Sequence, residues 1–198
     1  MTELRRHAPA TQRNRDFILE ILKAILPASG DVLEIASGTG QHVAHFASKL
    51  EKLQWLPTDL DSDALPSIDS WCENLPNVAQ AQKLDVREPW PIKAADALIN
   101  VNMIHISPWE SCLSLFEGAS KVLTPDAILY LYGPFKRGGQ HTAPSNERFD
   151  ISLRSNNSSW GVRDLDDVTS VANEHGFSLD QIVEMPANNL SVIFRKDA

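Results

Sequence analysis

Apolar residues recur along this chain with two periods, and the two alternate. Phe17, Ile18, Ile21, Leu22, Ile25 and Leu26 fall three and four apart, the spacing of one helical face, and Pro27 and Gly30 close that helix. Residues 31–36 form a short apolar run that reads as a buried strand and breaks into Ser37-Gly38-Thr39-Gly40. Helical spacing resumes over 41–50 through Val43, Ala44, Phe46, Ala47 and Leu50. A weaker strand over 53–57 ends at Thr58-Asp59, and a helix over 65–75 is stopped by Pro76. A third strand is expected over 78–84, a fourth over 95–101, a helix over 109–123 and a fifth strand over 127–132. Near the C-terminus a helix over 165–175 is capped by Gly176. Residues 177–184 and 190–195 then alternate as strands, with a connection short enough for an antiparallel hairpin. The rhythm fails only over 133–162, which is rich in Gly, Ser, Asn and Pro. That stretch is expected to be an irregular binding loop or lid.

Strands alternating with helices indicate βαβ units and a mainly parallel sheet, whose right-handed crossovers bring the strand ends to one edge. A length of 198 residues suits a single domain with its own core. The formal net charge is −8, and basic residues gather only as the pairs Arg5-Arg6 and Lys136-Arg137. An acidic body without a basic tract argues against a nucleic-acid partner. Cys72 and Cys112 form neither a disulfide framework nor a zinc-spaced motif, so no metal is expected. No stretch approaches the ~18 apolar residues of a membrane span. Residues 1–9 are polar and lack a signal core, so a cytoplasmic location is expected.

The chemistry gathers at strand ends. Gly38 and Gly40 follow a buried strand, where glycine permits a sharp turn and lets backbone N–H groups approach a ligand. Asp59 lies nineteen residues after Gly40 at the end of the second strand. An acid there accepts hydrogen bonds from ribose hydroxyls. Asp61 stands two residues on as its alternative. Asp85 ends the third strand, where a carboxylate can accept from an adenine amino group and the next backbone N–H can donate to a ring nitrogen.

These positions resemble the class I S-adenosylmethionine-dependent methyltransferases over roughly residues 31–195. The family pattern is acidic-x-Gly-x-Gly-x-Gly, and here Ala36 replaces its first glycine. The stretches at 33–42, 102–109 and 185–191 are similar to the methyltransferase-like protein 26 group. The resemblance implies a doubly wound, Rossmann-like α/β fold. Its seven-stranded sheet would be mainly parallel with an antiparallel last strand and helices on both faces. It also implies S-adenosylmethionine as cofactor. Glu34, Ala36, Ser37, Gly38 and Gly40 would surround the methionine part, Asp59 with Leu60 the ribose, and Asp85 with Val86 the adenine. Asn100 and Asn102 would face the sulfonium and substrate. An N-terminal helix over residues 1–30 would close on the cofactor. Arg13 and Asn14 at its start would reach the cofactor carboxylate, unless they belong to a solvated helix end.

The family's amino-methylating Asp/Asn-Pro-Pro-aromatic motif is absent, and Asn102-Met103-Ile104-His105 stands in its place. A base is needed only when the nucleophile arrives protonated. His105 is the candidate, with a structural histidine as its alternative, and Tyr132 is the second. His141 and Asn146 are candidates for substrate contact, and Trp109 and Trp160 for pocket walls. The expected acceptor is a small molecule. An NAD-dependent oxidoreductase is disfavoured because the loop lacks the third small residue of the dinucleotide fingerprint. A non-catalytic cofactor-binding or partner-binding domain remains the other reading. Oligomeric state is not legible.

Overall fold

The apolar run before the glycine turn forms β1 (Gly30–Ile35), buried from Val32 to Ile35. A strand apolar on successive residues needs cover on both faces, which is the situation of a parallel sheet under helices. The computed structural model, which describes residues 4–198, shows that arrangement. β1 pairs in parallel with β2 (Leu53–Asp59) on one side and β4 (Ala95–Val101) on the other. β3 (Gln82–Lys83) lies beyond β2, and β5 (Leu123–Gly133) beyond β4. β8 (Phe177–Met185) and β9 (Asn189–Lys196) complete a seven-stranded sheet in the order β3-β2-β1-β4-β5-β9-β8. Strand β9 alone runs against the rest, because it is antiparallel to both β5 and β8. The expected fold class holds, including the antiparallel last strand.

On one face α1 (Pro9–Ile25), α2 (Gln41–Ala47) and α3 (Leu65–Cys72) bury Ile18, Leu22, Phe46 and Ile68 against Trp55 and Tyr130. On the other face α4 (Trp109–Val122) and α6 (Leu165–Glu174) bury Phe116 and Val168 against Leu33, Leu98 and Phe194.

Three expectations change. The third strand shrinks from residues 78–84 to two residues, because Gln82 and Lys83 sit exposed at a sheet edge with no second face to bury. Helix α1 starts at Pro9, so Arg13 and Asn14 lie within it; residues 1–3 of the proposed N-terminal segment fall outside the described residues. The stretch 133–162 is not irregular. It holds a small hairpin of β6 (Lys136–Arg137) and β7 (Gln140–His141), then α5 (Pro144–Asn156). The buried residues of α5 are Asn146, Asp150 and Leu153, spaced four and three apart. Two of those inward positions are polar, which hid the helical period from hydrophobic patterning. Among the described residues no helix is long and apolar enough to cross a membrane, and no His, Cys, Asp or Glu cluster could hold a metal ion.

Candidate active site

The chain turns sharply after β1 through three left-handed residues, Ala36 (φ 59°), Gly38 (φ 58°) and Gly40 (φ 85°). Gly40 is required by packing, since a Cβ there would lie 2.5 Å from Ile68 Cα. Gly38 faces open space instead. Ala36, at the family's first glycine, holds a conformation that costs an L-residue about 1–2 kcal/mol. Asp59 anchors the turn: one carboxylate oxygen accepts from Gly38 N at 2.8 Å, the other from Asp61 N at 2.9 Å. A carboxylate has about four lone-pair sites, so both oxygens keep capacity for a ligand.

Beneath the turn, Glu34 is 2% exposed and its Oε2 has no partner. Burial, reinforced by the nearby Asp59 charge, pushes its carboxyl up to about 7. Asn100, buried at the end of β4, donates Nδ2 to Ile35 O at 3.0 Å and leaves Oδ1 unpaired. Asn102 sits just past β4 in the left-handed region (φ 65°), and its N–H donates to Tyr132 O at 2.8 Å.

Two clefts open at this sheet edge. The first, of about 270 Å³, brings together Ala36, Asp59, Leu60, Asp85 and Val86 under Trp160. The second, of about 410 Å³, brings together Arg13, Asn14, Asn102 and Tyr132 with Asn146 and Phe149 of α5. No residue lines both, but Asn102 on the second and Met103 on the first are consecutive in the chain. Glu34, Ser37, Gly38, Gly40, Asn100 and His105 line neither. A hollow of about 370 Å³ between Trp90 and α4 shares only Val86 with the candidate residues.

Asp85 is already engaged, because Arg87 grips both of its carboxylate oxygens at 2.9 and 2.7 Å. That guanidinium holds the carboxyl below its usual range. In the second cleft, burial raises the Tyr132 hydroxyl above its ordinary range, so it stays protonated near neutral pH. Asn14 is oriented from behind, where the His42 ring lies 2.8 Å from its Oδ1. His42 is pushed down to about 3, chiefly by burial, so the neutral ring donates Nε2–H and turns the Asn14 amide nitrogen away from it. Arg87 and His42 carried no sequence signal beyond their nearness to Asp85 and to the glycine turn.

A family model described as "Protein of unknown function (DUF938)" matches residues 5–196. The chain belongs to the DUF938 family. Its fold is shared by solved methyltransferases. An O-methyltransferase family protein from Burkholderia thailandensis is similar at TM-score 0.82 and 13% identity, covering 96% of this chain and 57% of that one. Human N-acetylserotonin methyltransferase, solved with S-adenosylmethionine, is similar at TM-score 0.81 and 13% identity, covering 96% and 53%. CalO1, a methyltransferase in calicheamicin biosynthesis solved with S-adenosylhomocysteine, is similar at TM-score 0.75 and 15% identity, covering 96% and 55%. The chain thus spans little more than half the length of each, and identities this low establish the fold.

In this DUF938 protein the expected base, His105, needs correction. The ring is fully buried, and its Nδ1 accepts from Arg163 N at 3.2 Å. That bond leaves the proton on Nε2, which has no partner. Burial, followed by the Arg163 charge, pushes the ring down to about 3. An imidazole whose lone pair is engaged, outside both clefts, is badly placed to take a proton. It fastens the insert instead: His105 O accepts from Gly161 N at 2.9 Å, and the Arg163 guanidinium donates to Ile104 O, Ser107 O and Ser159 O. Gly133 is small because a Cβ would come within 2.6 Å of His105 Nε2. His141 lies 3.4 Å from Asp150 and does not line the second cleft, whereas Asn146 does, tied to Thr142 and to Asn188 O.

Proposed function

We propose that this protein binds S-adenosylmethionine along the sheet edge and transfers its methyl group to a small molecule in the second cleft. The observation that carries this reading is the placement of Asp59 and Asp85 in one cleft and of Arg13, Asn14 and Asn102 in another, with Asn102 and Met103 consecutive between them. The residues present fit the cofactor. Leu60, Val86, Met103 and Trp160 make an apolar slot suited to a purine, with Asp85 at its edge for the amino group. Asp59 lines the same slot with accepting capacity for a ribose diol. Glu34, buried beneath the turn with Oε2 unpartnered, would favour a bound ammonium through its charge rather than by direct contact. Gly38 leaves open space over the turn, with Ala36, Ser37 and Gly40 setting its course. Arg13 and Asn14 close the methionine end from α1, Asn102 stands beside the reacting centre just past β4, and Asn100 supports the turn from behind by its bond to Ile35 O.

When bound, the cofactor supplies a methyl already activated on a sulfonium, so alignment is the main task of the chain. Tyr132 acts as a neutral donor that orients the acceptor. His105 acts as a positioning residue, holding residues 161–163 next to Trp160, which lines the first cleft. We further place the chain beside the methyltransferase-like protein 26 group within the class I enzymes, and in the cytoplasm, where two buried free thiols are at home. Incubating the purified protein with methyl-labelled S-adenosylmethionine and a small-metabolite extract tests the proposal. The expected result is a newly labelled small compound whose formation Asp59→Ala suppresses. Cofactor binding without transfer to any compound would leave a non-catalytic binding domain and overturn the enzymatic reading.

A further inference from the structure

We infer that the acceptor is a small anion whose attacking atom reaches the second cleft already ionised. This deepens the proposed function and rests on it. Five elements wall that cleft: α1, the ends of β4 and β5, α5, and the turn between β8 and β9. The titratable side chains they present to it, among the described residues, are Arg13 and Tyr132. Neither can take a proton from an acceptor near neutral pH. A guanidinium stays charged, and the Tyr132 hydroxyl is already protonated. No Asp or Glu among the described residues lines the cleft. No histidine lines the cleft among the described residues: His42 donates to Asn14, His105 accepts from Arg163 N, and His141 lies 3.4 Å from Asp150.

What the cleft offers is donors. His42 fixes the Asn14 amide with its nitrogen directed away from the ring. Tyr132 contributes its hydroxyl and Ser145 another. Arg13 has five N–H groups, enough to serve the cofactor carboxylate and a second anion together. Although the chain carries a formal net charge of −8, the one charged side chain that lines this cleft among the described residues is the cation Arg13. A neutral alcohol would leave its proton with no receiver here. An anion needs none. Its lone pair forms the new bond to the methyl carbon, the carbon–sulfur bond breaks, and that electron pair returns to sulfur. The negative acceptor and positive sulfonium become two neutral groups at the reacting atoms, and no proton moves. Carboxylates, thiolates and phenolates share this chemistry.

The test separates this inference from the reading beneath it. Titration with S-adenosylhomocysteine comes first, and no binding there defeats both. The loaded protein is then titrated with benzoate and with its neutral isostere benzamide. We expect benzoate to bind at least about tenfold tighter; with each variant first saturated by S-adenosylhomocysteine at its own measured affinity, Arg13→Gln should abolish the preference and Arg13→Lys should restore part of it. Equal affinity for the two probes, with the cofactor bound, overturns the inference and leaves the cofactor reading intact. A second arm follows methyl transfer to ring-substituted thiophenols across pH. The midpoint of the rate profile should move with the acidity of each thiol. A midpoint that stays fixed for all of them would reveal a protein base and overturn the proposal.

Discussion

Replacing Glu34 with Gln tests the burial argument at the heart of the site. The carboxyl is sealed under the glycine turn with Oε2 unpaired, and burial lifts it from 4.5 to about 7. A raised carboxylate favours the protonated form in the folded chain. Its contribution is therefore fully present below pH 4.5 and is lost as pH rises through 7, after which the penalty levels off. At 1.36 kcal/mol for each unit of displacement, the full swing is about 3 kcal/mol, and the part between pH 5 and pH 8 is about 2.5 kcal/mol. Glutamine keeps the shape and carries no charge at any pH. Urea denaturation of the cofactor-free protein at pH 5 and pH 8 measures the difference directly. The natural protein should lose about 2.5 kcal/mol more than Glu34→Gln across that interval. Parallel pH dependence of the two proteins would show that Glu34 is solvated or paired, and would refute the reasoning.

Other substitutions probe the neighbouring parts. Asp59→Ala should weaken S-adenosylmethionine binding by about 1.5–3 kcal/mol, the worth of hydrogen bonds to a charged acceptor, and calorimetry showing unchanged affinity would remove the ribose role. Ala36→Gly should raise the melting temperature, because relief of about 1–2 kcal/mol of left-handed strain exceeds the roughly 0.5–1 kcal/mol of extra glycine entropy; a lower melting temperature would contradict the strain. Arg163→Met leaves three backbone carbonyls without their charged donor and should cost about 2–3 kcal/mol, with faster proteolysis within residues 133–162 as the specific readout.

The sheet was legible because its central strands carry apolar runs, as in Ala127 to Leu131, a pattern set by helices on both faces. The placement of Asp59 and Asp85 followed from it, since a parallel sheet delivers its strand ends to one edge whatever the loops do. Legibility failed where burial and polarity part company. Helix α5 turns Asn146 and Asp150 inward, where Asp150 binds Val162 N and Arg154, so hydrophobic spacing missed it. His105 was placed correctly just past β4, yet its exposure depends on an insert whose course no local pattern encodes. The grip of Arg87 on Asp85 and of His42 on Asn14 are tertiary facts of the same kind.

A calorimetric titration of the purified chain tests whether the edge from Glu34 to Asp85 is, as proposed, a site for S-adenosylmethionine. Saturable one-to-one binding is predicted, with competition by S-adenosylhomocysteine and none by NAD. No heat or saturation at cofactor concentrations up to about 1 mM, where binding is worth only about −4 kcal/mol, would contradict the account.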